Sequence, residues 1–161
     1  MREPTDTNRP IAKRTLSPSN PRVAWTGVAI WLVVVGCVSL TSDPPGLDWL
    51  VALSKRFASP TTALRVMQAV VHLALYGVGA ILIASAIATI HPSLRGARLF
   101  FWTLATIMAI GLAIEIAQDY VPRRRTDLLD LSGDLVGSLL SLTVAWAFGL
   151  TPFRRHKKEA P

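Results

Sequence analysis

The sequence predicts an all-α protein, an integral membrane bundle of four transmembrane helices with no substantial soluble domain. Three observations lead there. Hydrophobic residues make up 51% of the 161 residues and charged residues only 17%, with a mean hydropathy of +0.41. The apolar residues come in long blocks rather than short alternations. The Lys and Arg residues behind the net charge of +7 flank those blocks, an arrangement that suits membrane topology and lipid headgroups. No nucleic-acid reader motif is present, so nucleic acid is not an expected partner.

Residues 1–22 are polar, carry four prolines and five Lys/Arg, and hold too little apolar surface to offset the entropy of ordering. They read as a basic tail. The membrane domain is expected over 23–150, followed by a second basic tail over 151–161. The first span runs from Val23 to Leu40 without a charge, long enough for a hydrocarbon core of roughly 30 Å. Trp25 and Trp31 suit a membrane interface. Val34-Val35-Gly36-Cys37 resembles a lipoprotein processing box. The length of the basic tail and the spans that follow favour instead a small apolar cysteine packed in a helix. As the sole cysteine, Cys37 has no intrachain disulfide partner.

Thr41 to Ser59 is mixed. Pro44-Pro45-Gly46 breaks the chain, and Leu47, Trp49, Leu50, Val51, Leu53 and Phe57 interleave with Asp48, Ser54, Lys55 and Arg56. A short interfacial helix and an ordinary loop fit equally well. Ser59-Pro60 then supplies an N-cap and a first-turn proline. The second span follows with its apolar part from Val66 to Ile90, longer than the bilayer needs. The third runs from about Leu99 to Val121 and stops at Pro122. After Arg123-Arg124-Arg125-Thr126, the fourth helix starts near Asp127 and reaches about Leu150.

With the N-terminus cytoplasmic, eleven Lys/Arg fall inside and six outside, so both termini are expected in the cytoplasm. The three consecutive arginines on the outer side oppose that rule and single out their loop.

An ionisable group near the bilayer centre costs about 2.5–3.5 kcal/mol on insertion scales, so such residues face the interior and mark candidate sites. Gln68, His72 and Tyr76 sit four apart on one face of the second span. Glu115, Gln118 and Asp119 lie near the outer end of the third. Asp127, Asp130 and Asp134 share a face of the fourth, where Asp127 is also a plausible N-cap with Asp130 three residues on. The topology brings these faces to one depth, beside Arg123 to Arg125. Gly133, Gly137 and Ser141 form a ridge of small residues suited to close helix packing.

The chain resembles the VanZ-like membrane protein family in two segments. The family's Asp-Lys-x-x-His-Phe-x-x-Tyr pattern is met by Gln68-Ala69-Val70-Val71-His72-Leu73-Ala74-Leu75-Tyr76, in which His72 and Tyr76 match. Its Glu-x-x-Gln, Pro-Gly-Arg and Asp-x-x-x-Asn-x-x-Gly patterns are met by Glu115, Gln118, Pro122, Arg124, Asp130 and Gly137, with Arg123 in place of Gly and Asp134 in place of Asn. The resemblance covers about residues 25–150. It implies a helical bundle in the bacterial cytoplasmic membrane and a cell-envelope setting, since the founding member is associated with low-level resistance to teicoplanin.

Three functions fit. The first is binding of an anionic lipid or lipid-linked cell-wall precursor at the outer leaflet by Arg123, Arg124, Arg125, Gln118, Tyr76, Asp127 and Asp134. Helix N-termini and guanidinium groups both suit phosphate. The second is an enzyme on an envelope lipid, with Glu115 or Asp130 as general base and His72 as its partner. The third is a structural or regulatory subunit packed against another membrane protein. His72, Glu115 and Asp130 supply a single histidine, thin for a transition metal, so no metal or other cofactor is expected.

Overall fold

The computed structural model describes residues 20–41, 52, 60–122, 128–150, 152 and 153. The interfacial helix expected between Thr41 and Ser59, the arginine loop and most of both basic tails lie outside the described residues. The described chain is helical: α1 (Pro21–Ser39), α2 (Pro60–Ile90), α3 (Ala97–Gln118) and α4 (Leu128–Ala147). α1, α3 and the Val66–Ile90 part of α2 are long and apolar enough to cross a membrane. α4 has a comparable length, roughly 30 Å at 1.5 Å per residue, but carries Asp130 and Asp134 in its first two turns.

The helix ends follow local chemistry. α1 begins two residues inside the expected tail, because Asn20 caps it by accepting from the Arg22 N–H at 3.0 Å and Pro21 takes the first position. α2 ends at Ile90, before His91-Pro92, as expected. α3 stops at Gln118 rather than Val121. Tyr120 N–H and Val121 N–H turn back to the Ala117 and Gln118 carbonyls, and Pro122 disfavours helical backbone in the residue before it. α4 stops at Ala147 rather than Leu150. Gly149 is left-handed (φ +59°), Leu150 N–H donates to Ala145 O and Gly149 N–H to Trp146 O. That pair of bonds is a Schellman closure.

Packing contacts fix the directions of the helices. Gly27 lies against Leu82, and Trp31 against Leu75, Tyr76 and Gly79, so α1 and α2 are antiparallel. Gly133 faces Ala69 and His72, Gly137 faces Leu73, and Gly77 faces Ser141. Residue numbers rise together on both helices, so α2 and α4 run parallel. The Gly133/Gly137/Ser141 ridge is therefore used inside this chain, against α2. Phe100 contacts Trp146 (ring centroids 6.3 Å), placing the start of α3 at the end of α4.

Trp31 corrects an expectation. It is 4% exposed rather than interfacial. Gly79, lacking a side chain, leaves room for the indole, and Nε1 donates to the Leu75 carbonyl at 2.9 Å. Trp25, Phe101, Trp102, Trp146 and Phe148 are instead exposed at one end of the bundle, the end that carries Arg22, Arg95 and Arg98. Cys37 sits within α1 as expected but is exposed rather than packed.

Gly36 is a helical glycine with no neighbour within 4 Å of a Cβ built on it. Gly36→Ala is expected to leave the fold intact and to raise stability by up to about 1 kcal/mol, the propensity difference between the two residues. Thermal unfolding in detergent checks this. A loss of stability would reveal a packing surface on that side of α1.

Candidate functional site

The interior of the bundle is polar at the end opposite the exposed tryptophans. The first turns of α4 and the last turn of α3 meet α2 there, and the ridge of small residues sets their spacing. Where Gly133 and Gly137 let α4 close on α2, the two acidic residues between and before them come level with His72.

His72 is the centre of the cluster. Its Nδ1 lies 2.7 Å from Asp134 Oδ1 in a buried hydrogen bond, and its Nε2 lies 3.7 Å from Asp130 Oδ2. The first distance is a hydrogen bond and the second is too long for one. Asp134 therefore fixes the ring, and Asp130 stands across from the other nitrogen. Asp130 belongs to the first turn of α4, where an acidic side chain also complements the helix dipole. Tyr76, one turn along from His72, stacks on the imidazole (centroids 6.0 Å, 5° between planes). Trp31 meets Tyr76 edge to face (5.8 Å, 88°). An aromatic column thus runs from α1 to the histidine.

Glu115 comes from the last turn of α3, 1% exposed, and lies within electrostatic reach of both His72 and Tyr76. The Tyr76 hydroxyl interacts with the Asp134 carboxyl, though among the described residues no bond of hydrogen-bonding geometry reaches Asp134 Oδ2. Gly111 faces both groups: a Cβ there would come 3.0 Å from Asp134 Oδ2 and 3.2 Å from Tyr76 Cε1. Gln118, also 1% exposed, lies nearly one turn beyond Glu115 on the inward face of α3. His72 and Asp130 are the most accessible members of the group, at 7% and 8%.

Of the residues singled out by sequence, the structure brings together His72, Tyr76, Asp130, Asp134 and Glu115, with Gln118 buried at the same end. Gln68 is half-buried, and Asp119 is exposed at the C-cap of α3. Arg123, Arg124, Arg125 and Asp127 lie outside the described residues. One role changes. Asp134, taken from sequence as a ligand-binding residue, is the direct partner of His72, ahead of the Glu115 or Asp130 expected there. Sequence reasoning missed two contributors. Trp31 carries no signal of burial in its own segment. Ser138 is fully buried and donates to the Tyr76 carbonyl at 3.4 Å. It lies beside the glycine ridge that drew attention away from it. Among the described residues no cluster has the ligand set of a metal site.

No family model, curated protein or solved structure matches the chain. The chemistry of the site is therefore argued from its own residues. An imidazole held through Nδ1 by a buried carboxylate, with Nε2 directed to the accessible side, can orient a polar group by hydrogen bonding or exchange a proton with it.

Proposed function

We propose that this chain is a multi-pass protein of the bacterial cytoplasmic membrane, with both termini cytoplasmic and α4 as a fourth span. On this reading it binds the headgroup of an envelope lipid or lipid-linked cell-wall precursor at the outer, polar end of the bundle. The observation that carries this is the buried His72–Asp134 pair, with Asp130 and Glu115 at the same depth. Ionisable groups at membrane depth are costly and are retained where they work. The exposed aromatic residues and Arg22, Arg95 and Arg98 at the opposite end support a cytoplasmic interface there, and α4 ends among those aromatics. On this reading Arg123 to Arg125, which follow Pro122 in the sequence, would contact phosphate. The resemblance to VanZ-like proteins adds a role in teicoplanin tolerance. A second reading, acid–base catalysis on such a lipid, draws on the orientation of His72 by Asp134, which leaves Nε2 ready to accept a proton.

The test is teicoplanin susceptibility in a strain lacking the protein, complemented with wild type, Glu115→Gln or Arg124→Ala, with membrane levels followed by immunoblot. Wild type is expected to raise tolerance, and both variants, at equal abundance, to lose most of that gain. Full tolerance in both variants would remove the polar end from the function. No shift with wild type would remove the envelope role.

A further inference from the structure

The end of the bundle opposite the polar cluster carries one pattern twice. On α1, Arg22 is exposed and Trp25, also exposed, follows three residues deeper. On α3, Arg98 is exposed, and the exposed Phe101 and Trp102 follow three and four residues deeper. Side chains at these spacings share a helix face, so each arginine has an aromatic ring about one turn, roughly 5 Å, further into the bundle. Both helices start at this end. Gly27 against Leu82 sets Arg22 about level with Ile87, and Arg95 and Arg98 follow Ile90, in the turn to α3 and its first turn. Arg95 Nε donates to the Pro92 carbonyl at 2.9 Å, which ties that guanidinium to the turn. Among the described residues no Asp or Glu lies here: Glu115, Asp119, Asp130 and Asp134 all belong to the polar end. The stretches that join the bundle at this end, residues 1–19 and 154–161, add eight Lys/Arg against three Asp/Glu.

We infer that this end is a docking surface for anionic phospholipid, with lipid phosphates at Arg22, Arg95 and Arg98 and the glycerol region against Trp25, Phe101 and Trp102. Guanidinium meets phosphate oxygens in pairs and keeps its charge at any physiological pH. Charge then selects the lipid. A zwitterionic phospholipid offers the same phosphate but brings a cation to a surface that is already positive, whereas an anionic one neutralises it. The aromatic rings select a lipid over a soluble polyanion. A polyanion would match the arginines and leave the rings against water, while the headgroup layer of a bilayer is charged outside and apolar one helical turn further in. This inference rests on the proposed membrane placement of the bundle and not on what the polar end binds.

The full chain is reconstituted in nanodiscs holding equal amounts of phosphatidylglycerol and phosphatidylcholine with the same acyl chains. Lipids that stay bound are then identified by native mass spectrometry. One Lys or Arg near an anionic surface contributes about fivefold in affinity. With three arginines at this end, phosphatidylglycerol is expected to be retained at least twentyfold over phosphatidylcholine. The triple variant Arg22→Gln/Arg95→Gln/Arg98→Gln is expected to lose most of that preference. All three side chains are exposed, and the α1 cap uses only the Arg22 backbone N–H, so this variant keeps the fold. The comparison variant Arg123→Gln/Arg124→Gln/Arg125→Gln is expected to keep the preference. Equal retention of the two lipids by wild type overturns the inference. A preference that survives in the first variant, or disappears only in the comparison variant, overturns the placement at this end. A chain that fails to enter nanodiscs overturns the membrane placement itself.

Discussion

Gly137→Ala is expected to destabilise the bundle by about 3 kcal/mol, the upper part of the overpacking range. A Cβ at this position would run into the Leu73 carbonyl oxygen, and would come 2.8 Å from Leu73 Cα and 2.9 Å from its carbonyl carbon. These are backbone atoms of a packed helix and have no rotamer to escape into. The only relief is for α4 to lift away from α2. The roughly 1 kcal/mol that alanine gains over glycine in helix propensity is too small to compensate. The same movement would draw Asp134, three residues earlier, away from His72, so lipid binding or tolerance should fall with stability. Gly133→Ala is the control. Its nearest neighbour would be His72 Cβ at 3.4 Å, an ordinary contact, and its melting temperature in detergent should stay near wild type. If Gly137→Ala melts with Gly133→Ala, the close approach of α4 to α2 is not what holds the bundle together.

The helices were legible in the sequence because their signals are local. Length without charge marked α1 and the Val66–Ile90 part of α2, and Pro60, His91-Pro92 and Pro122 marked ends to within a few residues. The polar faces were legible because ionisable residues inside apolar blocks are conspicuous, and a spacing of three and four tells which of them stack. What sequence could not assign was partnership across helices. His72 faces three carboxylates from two other helices, and only the depth at which Gly137 seats α4 on Leu73 selects Asp134 for the 2.7 Å bond. Trp31 fails for a related reason. Its burial depends on Gly79, 48 positions away, and nothing near Trp31 in the chain separates a core tryptophan from one at the interface. The stops of α3 and α4 shifted by three residues each, because turn bonds at Ala117, Gln118, Ala145 and Trp146 close the helices before the apolar pattern ends.

Asp134→Leu is expected to destabilise the bundle by about 2 kcal/mol. For a buried pair in a soluble protein, removing one partner costs about 3–5 kcal/mol, because the other is left uncompensated. Interhelical hydrogen bonds measured in membranes average only about 0.6 kcal/mol and reach about 1.7, because the unfolded chain in lipid also finds partners. Asp134 is fully buried and its bond to His72 is short, which places it at or slightly above that upper figure. His72→Leu should cost a similar amount, since it leaves Asp134 without its partner. The double variant His72→Leu/Asp134→Leu should recover to within about 1 kcal/mol of wild type, because replacing both members of a buried pair by apolar groups removes the desolvation penalty along with the attraction. Function should not recover with it. Thermal melts of the four proteins give the coupling energy, and teicoplanin complementation gives the activity of each. A double variant as unstable as the two single losses combined would mean that His72 and Asp134 act through separate contacts. A double variant that is both stable and active would reduce the pair to a packing device. Stability regained without activity separates the two roles: the bundle does not need this pair to fold, so its burial is explained by the function proposed for it.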